Sequence, residues 1–180
     1  MLHRGTQTIT TERLVLRKLR VEDAQAMFDN WAGDDEVTRY LSWPTHGSVE
    51  ISKMLLEHWV SCYERVDFYQ WGIEFEGQVI GTISVTEHND DIFMAEIGYC
   101  IGRPWWHRGI TTEALGAVIV YLFDQVGFRR IQARHDPRNP NSGAVMGKCG
   151  MTYEGTFRQA DRNNQGICDF SMYAVLATER

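Results

Sequence analysis

Three consecutive segments in the middle of the chain alternate apolar and polar residues, which is the period of a β-strand. Glu76-Gly77 separates the first two segments and predicts a hairpin turn, while Asn89-Asp90-Asp91 is a turn signal before the third. Pro104 follows the third segment and ends it. The sequence therefore predicts three successive strands, at residues 68–76, 78–87 and 94–102.

Helical patterns lie on both sides of these strands. Acidic residues open the first helical pattern, and Ser48 is a suitable N-cap for the second, after a predicted loop at residues 37–47. Gly127 is a typical C-cap for the third helix, and Asn139-Pro140 is a typical start for the fourth. The predicted helices cover residues 21–31, 49–65, 111–125 and 140–149.

Further strand patterns complete an order of β-α-α-β-β-β-α-β-α-β-β. The last two strands are predicted to be joined by a loop at residues 161–166 (DRNNQG). These additional strands are predicted at residues 13–19, 130–135, 151–159 and 168–175.

Composition narrows the class of protein. The chain has 180 residues and 43% apolar residues, which suits a single domain over residues 1–180. We expect no transmembrane helix and no signal peptide, and the four cysteines form no C-x-x-C pair, so a reducing cytoplasmic location is expected. No Cys/His spacing predicts a metal. The net charge of -6 disfavours nucleic acid and is compatible with a cationic amine substrate.

Residues 95–114 (AEIGYCIGRPWWHRGITTEA) carry the most informative pattern. A strand leads through a short loop with one glycine, Gly109, straight into a helix. The unpaired N–H groups and positive dipole end of a helix start make an anion site that a diphosphate fits, with Arg103 and Arg108 nearby. Alone, this pattern is also typical of an ordinary strand-to-helix turn.

Two further features favour a functional site. Asn139-Pro140-Asn141-Ser142 marks a second helix start one β-α unit downstream, so both helix starts can face one cleft. Glu96 lies in the strand that leads to the glycine loop, where a carboxylate could relay a proton from an attacking amine.

The chain resembles the GNAT superfamily of acetyltransferases, and within it the RimJ/RimL-like ribosomal-protein N-acetyltransferase branch. The resemblance covers nearly the whole chain, through TERLVLRKLRVEDA, AEIGYCIG, WWHRGITTEA, NPNSGAVMGKCGM and YEGTFRQADRNNQG. It implies an α/β (α+β) GNAT fold: a mixed, mostly antiparallel twisted sheet of about seven strands with a central splay, flanked by about four helices. It also implies acetyl-CoA (coenzyme A) as co-substrate and no metal.

The resemblance implies which residues hold the coenzyme. The family's Q/R-x-x-G-x-G/A loop reads WHRGIT here, so Trp106, His107 and Thr111 depart from the usual residues. The family pairs its central strand with the pantetheine arm, and Asn139 matches an asparagine that meets the pantetheine amides. The implied coenzyme-binding residues are Cys100, Ile101, Gly102, His107, Arg108, Gly109, Ile110, Thr111, Thr112, Asn139 and Ser142.

Two catalytic roles follow from the same resemblance. Glu96 is the expected general base, and Ser142 is the expected donor to the departing thiolate, because Met146 occupies the position where many GNAT enzymes have tyrosine. Each has an alternative: Glu96 can pair with an arginine, and Ser142 can cap a helix. Structural roles are expected for the other reactive groups: Cys100, Glu113, His135, Asp136 and Cys168.

The predicted activity is transfer of an acetyl group to a primary amine by direct attack, on a protein or peptide amino group. Two alternatives remain open: acetylation of a small amine such as a polyamine, aminoglycoside or amino-acid-like toxin, and a non-catalytic acyl-CoA-binding module. A homodimer is an expectation by analogy with the branch. The aromatic residues expected to wall the acceptor site are Trp31, Tyr40, Trp43 and Trp59, with Asp34, Asp35 and Glu36 as an acidic turn.

Overall fold

The computed structural model describes residues 1–179 and contains one eight-stranded sheet. The strand order across the sheet is β1-β2-β3-β4-β5-β6-β8-β7. The strands are β1 Ile9–Thr10, β2 Leu14–Arg17, β3 Gln70–Phe75, β4 Gln78–Asn89, β5 Met94–Ile101, β6 Arg130–His135, β7 Thr152–Asn163 and β8 Gly166–Leu176.

Neighbouring strands are antiparallel except for β5 and β6. These two are parallel and pair over three residues only, Met94 to Glu96 of β5 with Arg130 to Gln132 of β6. Beyond Glu96, β5 keeps its partner β4 and β6 keeps its partner β8. The sheet is therefore splayed between β5 and β6, as expected, and the splay opens at Glu96.

The helices are α1 Ala24–Met27, α2 Asp35–Thr38, α3 Val49–Cys62, α4 Ile110–Tyr121 and α5 Pro140–Lys148. Helix α4 buries an apolar side that includes Leu115, Val118 and Ile119 in the main core. A wider, π-type helical turn extends α4 from Leu122 to Val126, and Gly127 ends it with φ of 90°. None of the helices over residues 1–179 is long and apolar enough to cross a bilayer.

A second, smaller core fixes α1 and α3 against β4. Its centre is formed by Leu19, Met27, Trp31 and Leu56, all fully buried. Trp43 and Trp59 pack against it from the side. Of the four aromatic residues predicted to wall an acceptor site, three therefore belong to this core or its margin.

The structure corrects several element boundaries. The sheet has eight strands because residues 9 and 10 form a short additional strand against β2. The predicted loop at 37–47 is entered by α2, whose start is capped by the Asp34 carboxylate accepting from the Glu36 N–H. The helix predicted at 21–31 is a 3₁₀ turn, α1 and a π-type turn in succession.

The last hairpin is longer than predicted. Residues 161–163 were expected in a loop, since DRNNQG lacks an apolar period. They continue β7 instead, because Asp161 pairs with Cys168 and Asn163 with Gly166 across the hairpin. Backbone pairing with β8 thus extends β7 through residues whose side-chain pattern does not indicate a strand.

Candidate active site

A cleft of about 560 Å³ opens on the splayed side of β5. Its walls come from four parts of the chain that lie far apart in sequence. They are the end of β5 (Tyr99, Cys100, Ile101), the loop and first turn of α4 (Trp105 to Thr112), the start and one side of α5 (residues 138–148) and the α2 region (residues 36–41). The two predicted helix starts therefore face the same cleft.

The loop before α4 has the backbone conformation of an anion site. Gly109 is the N-cap residue with φ of +73°, in the left-handed region that favours glycine. The Glu113 N–H bonds to the Gly109 carbonyl, so the N–H groups of Ile110, Thr111 and Thr112 precede the first helical hydrogen bond. All three residues line the cleft, and a helix start of this kind fits a diphosphate.

An ion pair holds this loop in place from outside the cleft. Arg13 donates through Nε to Glu113 at 2.6 Å and through Nη1 to the Arg108 carbonyl at 3.0 Å. Thr11 donates to the same Glu113 carboxylate. Burial opposes ionisation of Glu113, but the hydrogen bonds from Thr11 and Arg13 outweigh it and lower the pKa of the carboxyl. Glu113 therefore has the structural role that was expected for it.

The basic side chains near the loop differ in their surroundings. Arg108 lines the cleft, with its guanidinium 5.0 Å from the centre of the Phe75 ring. Lys148 and Arg138 line the opposite wall. Arg103 does not line the cleft and is paired with Asp34 instead.

At the start of α5, Ser142 meets a residue that the sequence did not single out. Ser142 donates through Oγ to the Tyr99 hydroxyl at 3.1 Å, and that hydroxyl donates to the Ser142 carbonyl at 2.9 Å. Burial raises the pKa of Tyr99, so its hydroxyl stays protonated. Asn139 also lines the cleft, and its side chain does not cap α5. Met146 is 1% exposed and belongs to the main core.

The end of β5 contributes two of the three residues predicted to contact the pantetheine arm. Cys100 and Ile101 line the cleft. Burial raises the pKa of the Cys100 thiol, which is consistent with a packing role. Gly102 does not line the cleft: its N–H donates to Ile80, its carbonyl accepts from Trp105, and a Cβ there would lie 2.1 Å from the Asn30 carbonyl.

Glu96 lies at a second, smaller cavity of about 210 Å³ on the same strand. The residue is 5% exposed, and both carboxylate oxygens have partners. Gln132 donates to one at 2.9 Å, and Arg134 Nε lies 3.1 Å from the other. Arg134 also reaches Asp161 at 3.3 Å. Glu96 thus pairs with an arginine, which was the alternative to a catalytic role, and it also faces a cavity.

A buried carboxylate organises the far wall of this second cavity. Asp136 accepts from Arg138 and from Asn163. The Arg138 hydrogen bond, helped by that of Asn163, lowers the pKa of Asp136 to about 2. His135 turns its Nδ1 to the Asp136 carbonyl, and Gly143 leaves room for the imidazole, since a Cβ there would lie 2.6 Å from Nε2. The Asp136 carboxylate and His135 Nδ1 therefore have structural partners, whereas His135 Nε2 is buried without a hydrogen-bond partner among the described residues.

Sequence reasoning missed Tyr99, Gln132 and Arg134. Each contacts a predicted site residue across the splay or from a neighbouring strand. Tyr99 lies two residues before Ile101, a predicted coenzyme contact on β5, and strand alternation places every second side chain on one face, so the pattern could have nominated it. Gln132 and Arg134 follow the same alternation on β6 but needed the pairing of β5 with β6 to place them near Glu96.

Comparison with known proteins assigns the class. Residues 13–152 match the family described as acetyltransferase (GNAT) domain, and the chain belongs to this family. It is an N-acetyltransferase by that membership and by its relatives, and the RimJ/RimL-like resemblance is supported.

Three relatives illustrate the similarity. The uncharacterized N-acetyltransferase YoaA of Bacillus subtilis is 31% identical over 170 residues, covering 93% of this chain and 96% of that protein. The ribosomal protein uS5-alanine N-acetyltransferase of Escherichia coli is 28% identical over 157 residues, covering 82% and 79%. The structure of RimL, a ribosomal L7/L12 α-N-protein acetyltransferase in complex with coenzyme A, superposes with a TM-score of 0.86 at 21% identity, covering 97% and 100%.

Proposed function

We propose that this protein uses acetyl-CoA to acetylate a primary amine by direct attack, and that the amine belongs to a protein or peptide. The main observation in support of this proposal is that two cavities meet along β5. The larger is lined by Tyr99, Cys100 and Ile101 and the smaller by Glu96, Ile97 and Gly98. Tyr40 and Leu41 line both cavities, so the two lie side by side.

The larger cavity is assigned to the coenzyme. Gly109, Ile110, Thr111 and Thr112 present backbone N–H groups to the diphosphate, with His107 and Arg108 beside them. Along β5, residues 97–101 pair with β4 and have no β6 partner, so backbone groups that point into the splay can pair with the pantetheine arm. The Ile101 carbonyl is an exception, because it accepts from Trp106 Nε1 at 2.8 Å. Asn139 adds a side-chain amide from the other wall. When bound, acetyl-CoA supplies the acetyl group as a thioester.

Glu96 is assigned the role of general base, acting through water. An alkylammonium has a pKa of about 10.4 and must lose a proton before it can attack, whereas an α-amine near 8 needs less help. The Glu96 carboxylate lies at the point where the splay opens and at the wall of the smaller cavity. Gln132 and Arg134 hold it in one orientation.

Ser142 and Tyr99 are assigned to the departing sulfur as a pair. A thiol has a pKa of about 8.5 and a phenol about 10, so a proton does not transfer readily from tyrosine to a thiolate. Burial raises the pKa of Tyr99 further. The Tyr99 O–H therefore acts by turning from the Ser142 carbonyl to the sulfur and stabilising the developing thiolate by hydrogen bonding, while the Ser142 Oγ–H supports the Tyr99 oxygen.

Acidic side chains favour a cationic acceptor in the smaller cavity. Glu96, Asp136, Asp161 and Asp169 line it, against Arg134 and Arg162. Ammonium groups are attracted to such a surface before deprotonation. The choice of a protein or peptide amine rests on the named activity of the Escherichia coli relative.

The test is a thiol-release assay with acetyl-CoA and a matched acceptor panel. The panel contains peptides with a free N-terminus, the same peptides with that terminus blocked and one lysine left, and small amines such as spermidine and an aminoglycoside. The proposal expects release with free N-termini above all others. Thiol release with small amines alone would instead indicate a small-molecule acetyltransferase. Coenzyme binding without thiol release for any amine would indicate a non-catalytic acyl-CoA-binding module.

A further inference from the structure

Two histidines and an aspartate meet at the end of the sheet where β4 turns into β5. His3 comes from the N-terminal segment, His88 from the end of β4, and Asp90 from the turn that follows. None of the three lines either cavity of the active site. Nothing in the acetyl-transfer reaction accounts for this group.

The distances within the group suit a metal ion. His3 Nε2 lies 3.1 Å and 3.3 Å from the two Asp90 carboxylate oxygens, and His88 Nδ1 lies 2.9 Å from the second of these oxygens. The candidate ligand atoms all lie within 4.8 Å of one another. Ligands bound at about 2.0–2.2 Å in a tetrahedral site lie roughly 3.3 Å apart. The His–Asp separations already match this spacing, and a metal ion that replaces the protons between the imidazoles and the carboxylate would draw together the ligand atoms that are farther apart.

A hydrogen bond orients the His3 imidazole, and the second nitrogen of His88 lies near a carboxylate without a hydrogen bond to it. The other nitrogen of His3, Nδ1, lies 2.8 Å from the hydroxyl of Tyr69, which is 1% exposed. The other nitrogen of His88, Nε2, lies 4.0 Å from the Asp67 carboxylate. Metal-bound histidines usually engage a carboxylate or another polar group through the nitrogen that does not bind the metal.

The ring planes and the N-terminal backbone are also fixed. Phe128 is 1% exposed and packs edge-on or tilted against both imidazoles, with its ring centre 5.9 Å from that of His3 and 6.4 Å from that of His88. On either side of His3, the Leu2 N–H donates to the Val126 carbonyl and Arg4 Nε donates to the Gln125 carbonyl. The site is thus positioned before any ion arrives, which limits the entropic cost of binding.

We propose that His3, His88 and Asp90 bind a divalent transition-metal ion of the zinc type, which fastens the N-terminal segment to the β4–β5 turn. Two imidazole nitrogens and one carboxylate oxygen are ligands that zinc accepts, and three protein ligands leave a further position for water. The site is structural and separate from acetyl transfer. Metal binding here displaces protons, so its affinity falls as the solution is acidified.

The test titrates the untagged full-length protein with Zn²⁺ alone by calorimetry, and with Co²⁺ alone by visible absorption. The parent is expected to bind one ion, with cobalt bands typical of nitrogen and oxygen ligands. His88→Gln and Asp90→Asn are each expected to weaken binding at least ~10-fold. Asp91→Asn is the matched control in the same turn and should bind like the parent. His58→Gln tests whether the neighbouring His58 and Cys62 side chains bind the added ion instead.

A stability measurement checks the fastening role. A Zn²⁺ concentration about 100-fold above Kd is expected to raise the parent Tm by about 5–10 °C, and a chelator should reverse the shift. Asp90→Asn should keep its metal-free Tm near the parent value and lose the shift. Absence of binding at millimolar Zn²⁺, or equal affinity in the parent, His88→Gln and Asp90→Asn, would overturn the proposal.

Discussion

Replacement of Glu96 by glutamine separates a catalytic role of this carboxylate from a structural one. The substitution keeps the shape of the side chain and leaves one oxygen that can accept from Arg134 or Gln132, but it removes the charge and the basicity. Arg134 keeps Asp161 as a partner at 3.3 Å. Because hydrogen bonds to charged groups contribute about 1.5–3 kcal/mol, the expected loss of stability is at most about that amount.

The expected loss of activity is larger than this structural change explains. A positioned general base typically contributes 10²–10⁴-fold, so kcat/KM for a lysine-type acceptor is expected to fall by about that factor. An α-amine acceptor, with a pKa near 8, is already about half neutral at pH 8 and should lose less. Raising the pH should restore part of the rate with both acceptors, since the amine then loses its proton to water.

Thiol release at pH 7 to 10 measures these effects with Glu96→Gln, and the thermal unfolding of the same preparation reports folding. Glu87→Gln is the matched control, because Glu87 lies opposite Glu96 on β4 and is exposed. Glu87→Gln should match the parent throughout. Equal kcat/KM in Glu96→Gln and the parent, at every pH and with either acceptor, would refute the assignment and leave Glu96 as the partner of Arg134.

The remaining predictions concern the coenzyme loop, the hydroxyl pair and a buried carboxylate. Gly109→Val should weaken coenzyme A binding at least ~10-fold by calorimetry and cost about 1–2 kcal/mol, because the left-handed φ of +73° disfavours any side chain. Tyr99→Phe and Ser142→Ala should each lower kcat in thiol release by about 10-fold with little change in coenzyme KM, because they act on the departing sulfur. Asp136→Asn should lower the free energy of unfolding in urea by about 2 kcal/mol at pH 7, because its folded pKa of about 2 lies below the ordinary 3.8.

Each of these predictions has its own contradicting result. If the left-handed conformation of residue 109 is needed for coenzyme binding, Gly109→Ala should weaken the affinity less than Gly109→Val does. Parent-like affinity in both variants would exclude that requirement. Parent-like kcat in both hydroxyl variants would remove the pair from the reaction. The Asp136 carboxyl has a lowered pKa, so its contribution is full above pH 3.8 and is lost as the pH falls toward 2. The difference in free energy of unfolding between Asp136→Asn and the parent should therefore shrink between pH 3.8 and pH 2. A difference that stays constant would contradict the lowered pKa of Asp136 as its cause.

Local signals in the sequence predicted the elements that position the site. Glu76-Gly77 forms the predicted hairpin turn with positive φ at both residues, and Gly127 ends the helix where it was expected. The strand Arg130–His135 has the predicted bounds. Gly77 and Gly127 adopt a positive φ that glycine favours, so these two turns can be read from single positions, while the strand was read from its residue pattern.

Features that depend on long-range contacts could not be predicted in the same way. Arg134 meets Glu96 only because β6 pairs with the first residues of β5 before the sheet splays. His3 lies 87 positions before Asp90 in the sequence, so the spacing of histidines along the chain gave no sign of the group. The aromatic residues near the N-terminus were assigned to an acceptor wall, but Trp31 is fully buried in the second core. Composition alone does not distinguish these two environments.

Coenzyme binding in the proposed function requires that backbone N–H groups at the start of α4 hold the diphosphate. Calorimetry with coenzyme A and with pantetheine, which lacks the diphosphate, tests this most directly on the parent protein. Coenzyme A is expected to bind, and pantetheine at least ~100-fold more weakly, because it cannot engage the helix start. No heat of binding with coenzyme A at millimolar concentration, or equal affinity for the two compounds, would contradict the account.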